Sequence, residues 1–311
     1  MTSTPRAVVS GASGLIGTAL VTSLLADGWE VLRLVRRPAE SADELLWNPV
    51  LGATGATPTL REAVSGADAV INLAGAPVAG KRWDDSYKRE ILDSRVAATT
   101  CLATAISEAA EPPRVLVSAS ASGFYGDTGP DAVDETGPQG STFLAQVCAS
   151  WELAAQPARD RGVRVVHPRT GLVADPSGGA FGRLLPVIRA GIGGRLGSGR
   201  QWWSPISISD EVGALRHVAT YDTLEGPVNL AAPEQVTNAD LTARLGAALH
   251  RPTLARVPGF ALRTVLGEFG DELLIDQRMA PSALEASGYE FRHPTTDAII
   301  DDLLHGVTRP E

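Results

Sequence analysis

Cysteine is scarce in this chain of 311 residues: there are two, Cys101 and Cys148. Two thiols build no disulfide framework, which excludes a stapled extracellular scaffold and suits a reducing cytoplasm. Histidine is nearly as rare. His167, His217, His250, His293 and His305 fall at no ligand spacing, so no metal site is expected. Basic charge is in deficit, with 27 Lys and Arg against 36 Asp and Glu and a formal net charge of -9, which argues against a nucleic-acid groove. No apolar run approaches the ~20 residues of a membrane span. The opening "MTSTPRAVVSG" has no basic region followed by an apolar core, so a secretory leader is not expected either. Two catalytic signatures are also missing: no Gly-Lys-Ser/Thr phosphate loop and no G-x-S-x-G elbow.

What the chain does have is alternation. Short apolar runs at 6–11, 30–35, 68–75, 114–120 and 163–169 read as buried strands. Patterns of period 3.6 at 15–27, 84–110 and 141–156 read as the helices between them. Strands alternating with helices predict right-handed crossovers and a mostly parallel, doubly wound α/β sheet of the Rossmann type. After residue 170 the texture turns Gly-rich and aromatic, with one more strand near 226–233 and helical segments near 237–249 and 281–287. The expected division is a dinucleotide-binding domain of 1–174 plus about 206–236, and a smaller C-terminal substrate-side lobe of 175–205 plus 237–311.

The most informative motif is "SGASGLIGTAL" at 10–20. Gly11, Gly14 and Gly17 follow a strand and open a helix. The first suits a tight turn, the second a close approach of backbone to a pyrophosphate, and the third close helix–strand packing, with free helix N–H groups left for the phosphates. Ser13, Leu15 and Ile16 lie on the same turn and share the assignment to the cofactor. About 20 residues further on, an acidic residue would select NAD. The second strand runs instead into "RLVRRP", and Arg36 and Arg37 favour a 2′-phosphate, hence NADP(H). A solvated basic loop end is the plainer reading of the same pair.

The chain resembles the short-chain dehydrogenase/reductase superfamily, its extended epimerase/dehydratase type, and within that an atypical "epimerase family" branch with its own C-terminal domain. The resemblance rests on "GASGLIG", "INLAG", "GKRW", "ILDSR", "VSASASGFYG", "FLAQVCASWE", "RTGLV", "GGRLGSGRQWWSPI" and "VNLAAPEQVTN", which together span nearly the whole chain. It implies that Leu73, Ala74 and Gly75 line the adenosine side of the cofactor, with Ser118 near the same strand ends. It also implies that Arg95 faces the cofactor with Glu90 orienting it, and that Pro168, Arg169 and Val173 close over the nicotinamide end. Trp83, Trp202 and Trp203 fall where such proteins contact substrate, although tryptophans are more often packing anchors.

The catalytic residues of that superfamily are a Ser and a Tyr-x-x-x-Lys pair. Ser120 fits the Ser position, but the alignment puts Leu144 at the Tyr and Cys148 at the Lys. Three explanations stay open: Tyr125 supplies the proton, Cys148 takes part directly, or the chain binds NADP(H) without turnover. The expected function is therefore an NADP(H)-dependent oxidoreductase or epimerase-like enzyme acting on a small molecule through Ser120 and Tyr125. The alternative is an NADP(H)-responsive binding or regulatory protein. Oligomeric state is not encoded in these patterns.

Overall fold

The computed structural model describes residues 4–49 and 56–306. Strand β1 (Arg6–Ser10) leads through the glycine turn into α1 (Leu15–Ala26), followed by β2 (Glu30–Val35), β3 (Glu44–Leu46), α2 (Pro58–Val64), β4 (Ala69–Asn72) and α3 (Asp85–Ser107). Next come β5 (Val115–Ser118), the short β6 (Ser120–Ala121), a 3₁₀ turn (Ser122–Tyr125), α4 (Phe143–Leu153), α5 (Gln156–Asp160) and β7 (Arg164–Thr170). The five early strands of the sequence pattern are all present. Strand β3 and helix α2 are additional, because three residues of strand and seven of helix are too short to show a period.

Seven parallel strands pair in the order β12-β7-β5-β4-β1-β2-β3, where β12 is Gly226–Leu230. The sheet is buried on both sides, which is why its strands read as continuous apolar runs. Ala7, Val9, Ile71, Val117 and Val166 face α1 and α7 (Ile208–Thr220). Val8, Val70, Leu116 and Val165 face α2, α3 and α5. The chain leaves β1 in one direction to form β2 and β3, then returns to the other side of β1 to form β4. That reversal opens a crevice at the carboxyl ends of β1 and β4, where ligands of such sheets bind.

The smaller lobe is built from short pieces. Strand β8 (Leu172–Ala174) pairs with β11 (Pro205–Ser207), β9 (Gly194–Leu196) with β14 (Ala255–Val257), and β10 (Trp202–Trp203) with β13 (Val236–Thr237). Helices α6 (Gly179–Arg189), α8 (Asn238–Ala248), α9 (Gly259–Leu266), α10 (Phe269–Glu272) and α12 (Thr296–His305) accompany them. Phe181, Leu185, Leu241, Leu245, Ile299 and Leu303 form its core. Helix α11 (Ser282–Ala286), within the segment assigned to the lobe, belongs elsewhere: Leu284 is buried in the core of the main sheet, with Tyr289 and Phe291 packed beside it. Asp210 fixes this return. Its carboxylate accepts from the backbone N–H groups of Arg292 and His293, both at 2.8 Å. No helix among the described residues is long and apolar enough to cross a membrane.

Candidate active site

The crevice at the ends of β1 and β4 is shaped by glycine. Gly11 has φ +71°, and a Cβ there would lie 2.6 Å from the Leu73 carbonyl carbon, so no other residue fits without moving the backbone. A Cβ on Gly17 would collide with the Gly11 carbonyl oxygen. Helix α1 then begins at Gly14 with no side-chain cap and no acid in its first turn. By contrast, α3, α4, α7, α8 and α12 are each capped by an Asp, Thr or Ser side chain. The N-terminal N–H groups of α1 are thus left for a ligand, beside the positive end of the helix dipole. Leu15 is covered from the other lobe by Gly178, whose missing side chain leaves room for it.

Beneath the crevice runs a buried polar chain. Ser10 Oγ donates to Asn72 Oδ1 at 2.6 Å, and Asn72 Nδ2 donates to Thr99 Oγ1 at 2.8 Å. Thr99 lies 3.5 Å from Ser118 Oγ. Asn72 also accepts from the Ala74 backbone N–H, fixing the turn Leu73–Gly75. Ser118 is fully buried, so it supports the crevice from below and does not face a cofactor.

Arg95 enters the crevice from α3. Its Nη1 donates to the carbonyls of Ala76 and Ile91, both at 3.0 Å, and its guanidinium lies over the Trp151 ring. Gly75 makes room for it, since a Cβ there would sit 3.1 Å from Arg95 Cγ. Arg95 meets no carboxylate at ion-pair distance among the described residues, and burial lowers its proton affinity. Glu90 does not orient it: Glu90 pairs with Lys81 at 3.4 Å, out in solvent.

The two arginines after β2 have separate fates. Arg37 grips Glu44 of β3 with Nη1 and Nη2, each at 2.8 Å. Arg36 is exposed and has no hydrogen bond or ion pair among the described residues. The cation available to a phosphate at this point is Arg36, whereas Arg37 is spent on a carboxylate that the sequence spacing did not connect to it.

The proposed catalytic hydroxyls lie in a closed network. Ser120 Oγ donates to Glu152 Oε1 at 2.7 Å. Glu152 is held by Arg169 through Nε at 2.9 Å and Nη2 at 3.0 Å. Arg169 Nη1 also donates to Tyr125 Oη at 3.0 Å, and Tyr125 donates to Asn229 Oδ1 at 2.7 Å. Tyr125 is 3% exposed, and burial raises its pKa. Its hydroxyl proton is therefore committed inside the protein, and the assignment of Ser120 and Tyr125 as substrate-facing groups is corrected accordingly. Arg169 and Pro168 are buried in β7. Val173 contributes to the main core beside Ile206. Cys148 is buried and pushed up to about 12, chiefly by desolvation, so it stands as a neutral thiol.

The groups that do face open space lie between the lobes. A small, partly open cleft is lined by Ser122, Leu172, Trp203, Glu272, Leu273 and Gln277, among others. Ser122 Oγ donates to Gln277 Oε1 at 2.7 Å. Burial raises the pKa of Glu272, and its Oε2 has no hydrogen-bond partner. Of the three tryptophans, Trp203 borders this cleft. Trp83 packs against Phe143 and Phe269, and Trp202 stacks on Arg278. Ser122 lies in "VSASASGFYG" without being singled out there, and Glu272 and Gln277 stand in no quoted motif, because they reach the cleft only through the packing of the two lobes.

Comparison with known proteins agrees with this architecture. Residues 7–231 match the model of the NAD dependent epimerase/dehydratase family, and residues 257–303 match a domain of unknown function, DUF1731. An epimerase family protein of Mycobacterium tuberculosis is 45% identical over 97% of this chain and 97% of its own length. The human epimerase family protein SDR39U1, in a crystal structure with NADPH, superposes with a TM-score of 0.88 at 32% identity, covering 97% of this chain and 100% of that one. A nucleoside-diphosphate sugar epimerase from Corynebacterium glutamicum superposes with a TM-score of 0.78 at 33% identity, over 97% of this chain and 58% of that one. With the sheet order, the glycine turn and both matched regions in place, the chain belongs to the NAD dependent epimerase/dehydratase family, as an atypical short-chain dehydrogenase/reductase with a C-terminal DUF1731 domain.

Proposed function

We propose that this protein binds NADP(H) and uses it to reduce or oxidise a small molecule held in the cleft between its lobes. The observation that carries the cofactor assignment is the pairing of an uncapped α1 N-terminus with the exposed Arg36 just beyond β2, which has no partner among the described residues. The residues fit the cofactor. Gly11 and Gly17 let the turn close against the Leu73–Ala74 backbone and against α1, where a Cβ would clash, so the turn is held tight at the start of α1. The turn Ser13–Ile16 offers backbone N–H groups to the pyrophosphate, Leu73 to Gly75 flank the adenosine side, and Arg95 brings a positive charge that meets no counter-ion among the described residues. Arg36 takes the 2′-phosphate. Human SDR39U1, which shares the fold over the whole chain, was crystallised with NADPH. Bound there, NADP(H) supplies a donor or acceptor of hydride. The protein's own part is to hold the substrate against Trp203 and Leu172, to exclude water, and to handle the proton.

The partner this reading implies is a small molecule with an oxidisable alcohol or reducible carbonyl; an acidic surface disfavours nucleic acid. The compartment it implies is the cytoplasm, since Cys101 and Cys148 are buried, unpaired thiols. A second reading is favoured by one observation: with Ser120 and Tyr125 tied into a closed network and no Tyr-x-x-x-Lys pair, the chain is a cofactor-responsive binder. Titration calorimetry and isotope transfer separate them. NADPH is expected to bind at least ~10-fold more tightly than NADH, about 1.4 kcal/mol. Stereospecifically deuterated NADPH is expected to pass its label to a member of a panel of small carbonyl compounds and nucleotide sugars. Tight NADPH binding with no transfer across the panel supports the binder, and equal affinity for the two cofactors contradicts the assignment of Arg36.

A further inference from the structure

The position where the superfamily carries its catalytic Tyr is occupied by Leu144, a side chain with no proton to give. Leu144 packs against the 3₁₀ turn so tightly that a Cβ on Gly123 would lie 3.0 Å from Leu144 Cβ. A different acid reaches the same turn from the other lobe. Glu272, at the end of α10, sets its carboxyl against the Thr142 hydroxyl and the Leu144 backbone N–H, at the start of α4. Thr142 Oγ1 already accepts from the Ala145 N–H, so its own proton is free to point at Glu272.

The surroundings of Glu272 are those of a working group and not of a surface carboxylate. It lines the interlobe cleft with Ser122 and Gln277. Its Oε2 is buried with no hydrogen-bond partner, a costly arrangement for a purely structural side chain. No Lys or Arg neutralises it among the described residues. The charged neighbour acting on it is Asp271, which is itself paired with Arg263, and the first turn of α4 carries no acid. Burial, with a smaller push from Asp271, keeps the carboxyl protonated to higher pH than an ordinary glutamate, although the Thr142 hydroxyl and the Leu144 N–H favour its charged form. Across the cleft, Gln277 has committed its Oε1 to Ser122 and has no partner for its amide N–H₂ among the described residues. A donor and an acid thus face the same space.

We propose that Glu272 is the proton donor and acceptor of this cleft, replacing in space the absent tyrosine, with the Gln277 amide N–H₂, oriented by Ser122, donating to the reacting oxygen of a small ketone, aldehyde or secondary alcohol. This rests on the reading of the cleft as an NADP(H)-linked site. In the reducing direction the reductant is the reduced nicotinamide, which becomes oxidised as its hydride pair forms the new C–H bond. The carbonyl π bond breaks, the Glu272 O–H breaks as the substrate O–H forms, and the carboxylate left behind regains a proton from solvent. Oxidation of an alcohol runs the same steps backwards, with Glu272 as base.

The test uses the whole protein with ¹³C-labelled glutamate carboxyls. Glu272 is identified by the signal lost in Glu272→Gln and in Glu272→Asp, then titrated with and without saturating NADPH, whose binding is followed separately by fluorescence. The Glu272 signal is expected to titrate above the other glutamates except Glu135 and Glu211, to move when NADPH binds, and Glu272→Gln is expected to keep NADPH affinity within about 2-fold. Deuteride transfer to any active carbonyl in the panel is expected to fall at least ~10²-fold in Glu272→Gln, to return in part in Glu272→Asp, and to decline in the parent protein as pH rises through the Glu272 midpoint. If the panel contains no substrate, the titration alone decides. Failure of the parent protein to bind NADPH defeats the proposed function. Binding with a Glu272 that titrates among the ordinary glutamates, or that ignores the cofactor, overturns the role given to Glu272. If Glu272→Gln does not fold, Glu272→Asp supplies both the assignment and the affinity comparison.

Discussion

Arg37 and Glu44 form a two-point pair, Nη1 to Oε2 and Nη2 to Oε1, both at 2.8 Å, with the Glu44 carboxylate buried beneath the guanidinium. Arg33 reaches the same carboxylate at 3.3 Å, and the Glu40 backbone N–H donates to it at 2.9 Å. The loop after β2 is therefore fastened by one arginine while its neighbour has no partner among the described residues. Planar two-point contacts of this kind position as well as attract.

That separation gives the first prediction. Arg36→Ala is expected to lower NADPH affinity about 10-fold and to leave NADH affinity nearly unchanged, erasing most of the cofactor preference. Arg37→Ala is expected to weaken both cofactors alike by loosening the loop. Calorimetric titration of both variants with both cofactors checks it; loss of preference in Arg37→Ala alone would reverse the roles.

The Glu152–Arg169 pair is buried, with side chains 13% and 4% exposed, and it also anchors Ser120 and Tyr125. Removing one partner of such a pair strands the other charge. Arg169→Leu is expected to cost roughly 3 kcal/mol, seen as a lower urea midpoint at unchanged slope. Ser120→Ala, which removes one hydrogen bond to the same carboxylate, is expected to cost only about 1 kcal/mol. A loss below ~1 kcal/mol in Arg169→Leu, as for an exposed pair, would show that water reaches the network.

Glu211 carries a pH signature. It is buried on α7, takes one hydrogen bond from Thr170 Oγ1 at 2.8 Å, and desolvation raises its pKa to about 8. An acid whose pKa is higher folded than unfolded binds more protons in the native state between the two values. Its contribution to stability is complete below about pH 4.5 and fades as pH rises through 8. Glu211→Gln is expected to remove that decline and to stabilise the protein by a few kcal/mol at pH 9 relative to the parent, of order the pKa displacement. Thermal unfolding of both proteins between pH 5 and ~9 is the measurement, and parallel curves would contradict the burial argument.

Cys148 is expected to behave as packing. With its thiol pushed up to about 12, hardly any thiolate exists at neutral pH, so a thiol reagent should label it only on unfolding. Cys148→Ala is expected to lose about 1 kcal/mol and to leave NADPH binding intact. Rapid labelling of the folded protein, blocked by NADPH, would return Cys148 to the site.

What the sequence by itself determined is the part governed by near neighbours. Strand and helix order follow from side-chain spacing, and the glycine turn follows from φ and from the room a Cβ would take, both local quantities. The loss of the Tyr-x-x-x-Lys pair on α4 was legible for the same reason. The tertiary structure alone decided which polar groups are already satisfied. Arg36 and Arg37 are adjacent and alike in sequence, and only the arrival of Glu44 on β3 separates them. Ser120 and Ser122 sit two residues apart, yet Glu152 on α4 claims one while Gln277 from the far end of the chain turns the other toward the cleft. Glu272 belongs to no motif at all. A hydroxyl or carboxyl acquires a role through what lies within 3 Å of it, and for these residues that neighbour comes from a distant part of the chain.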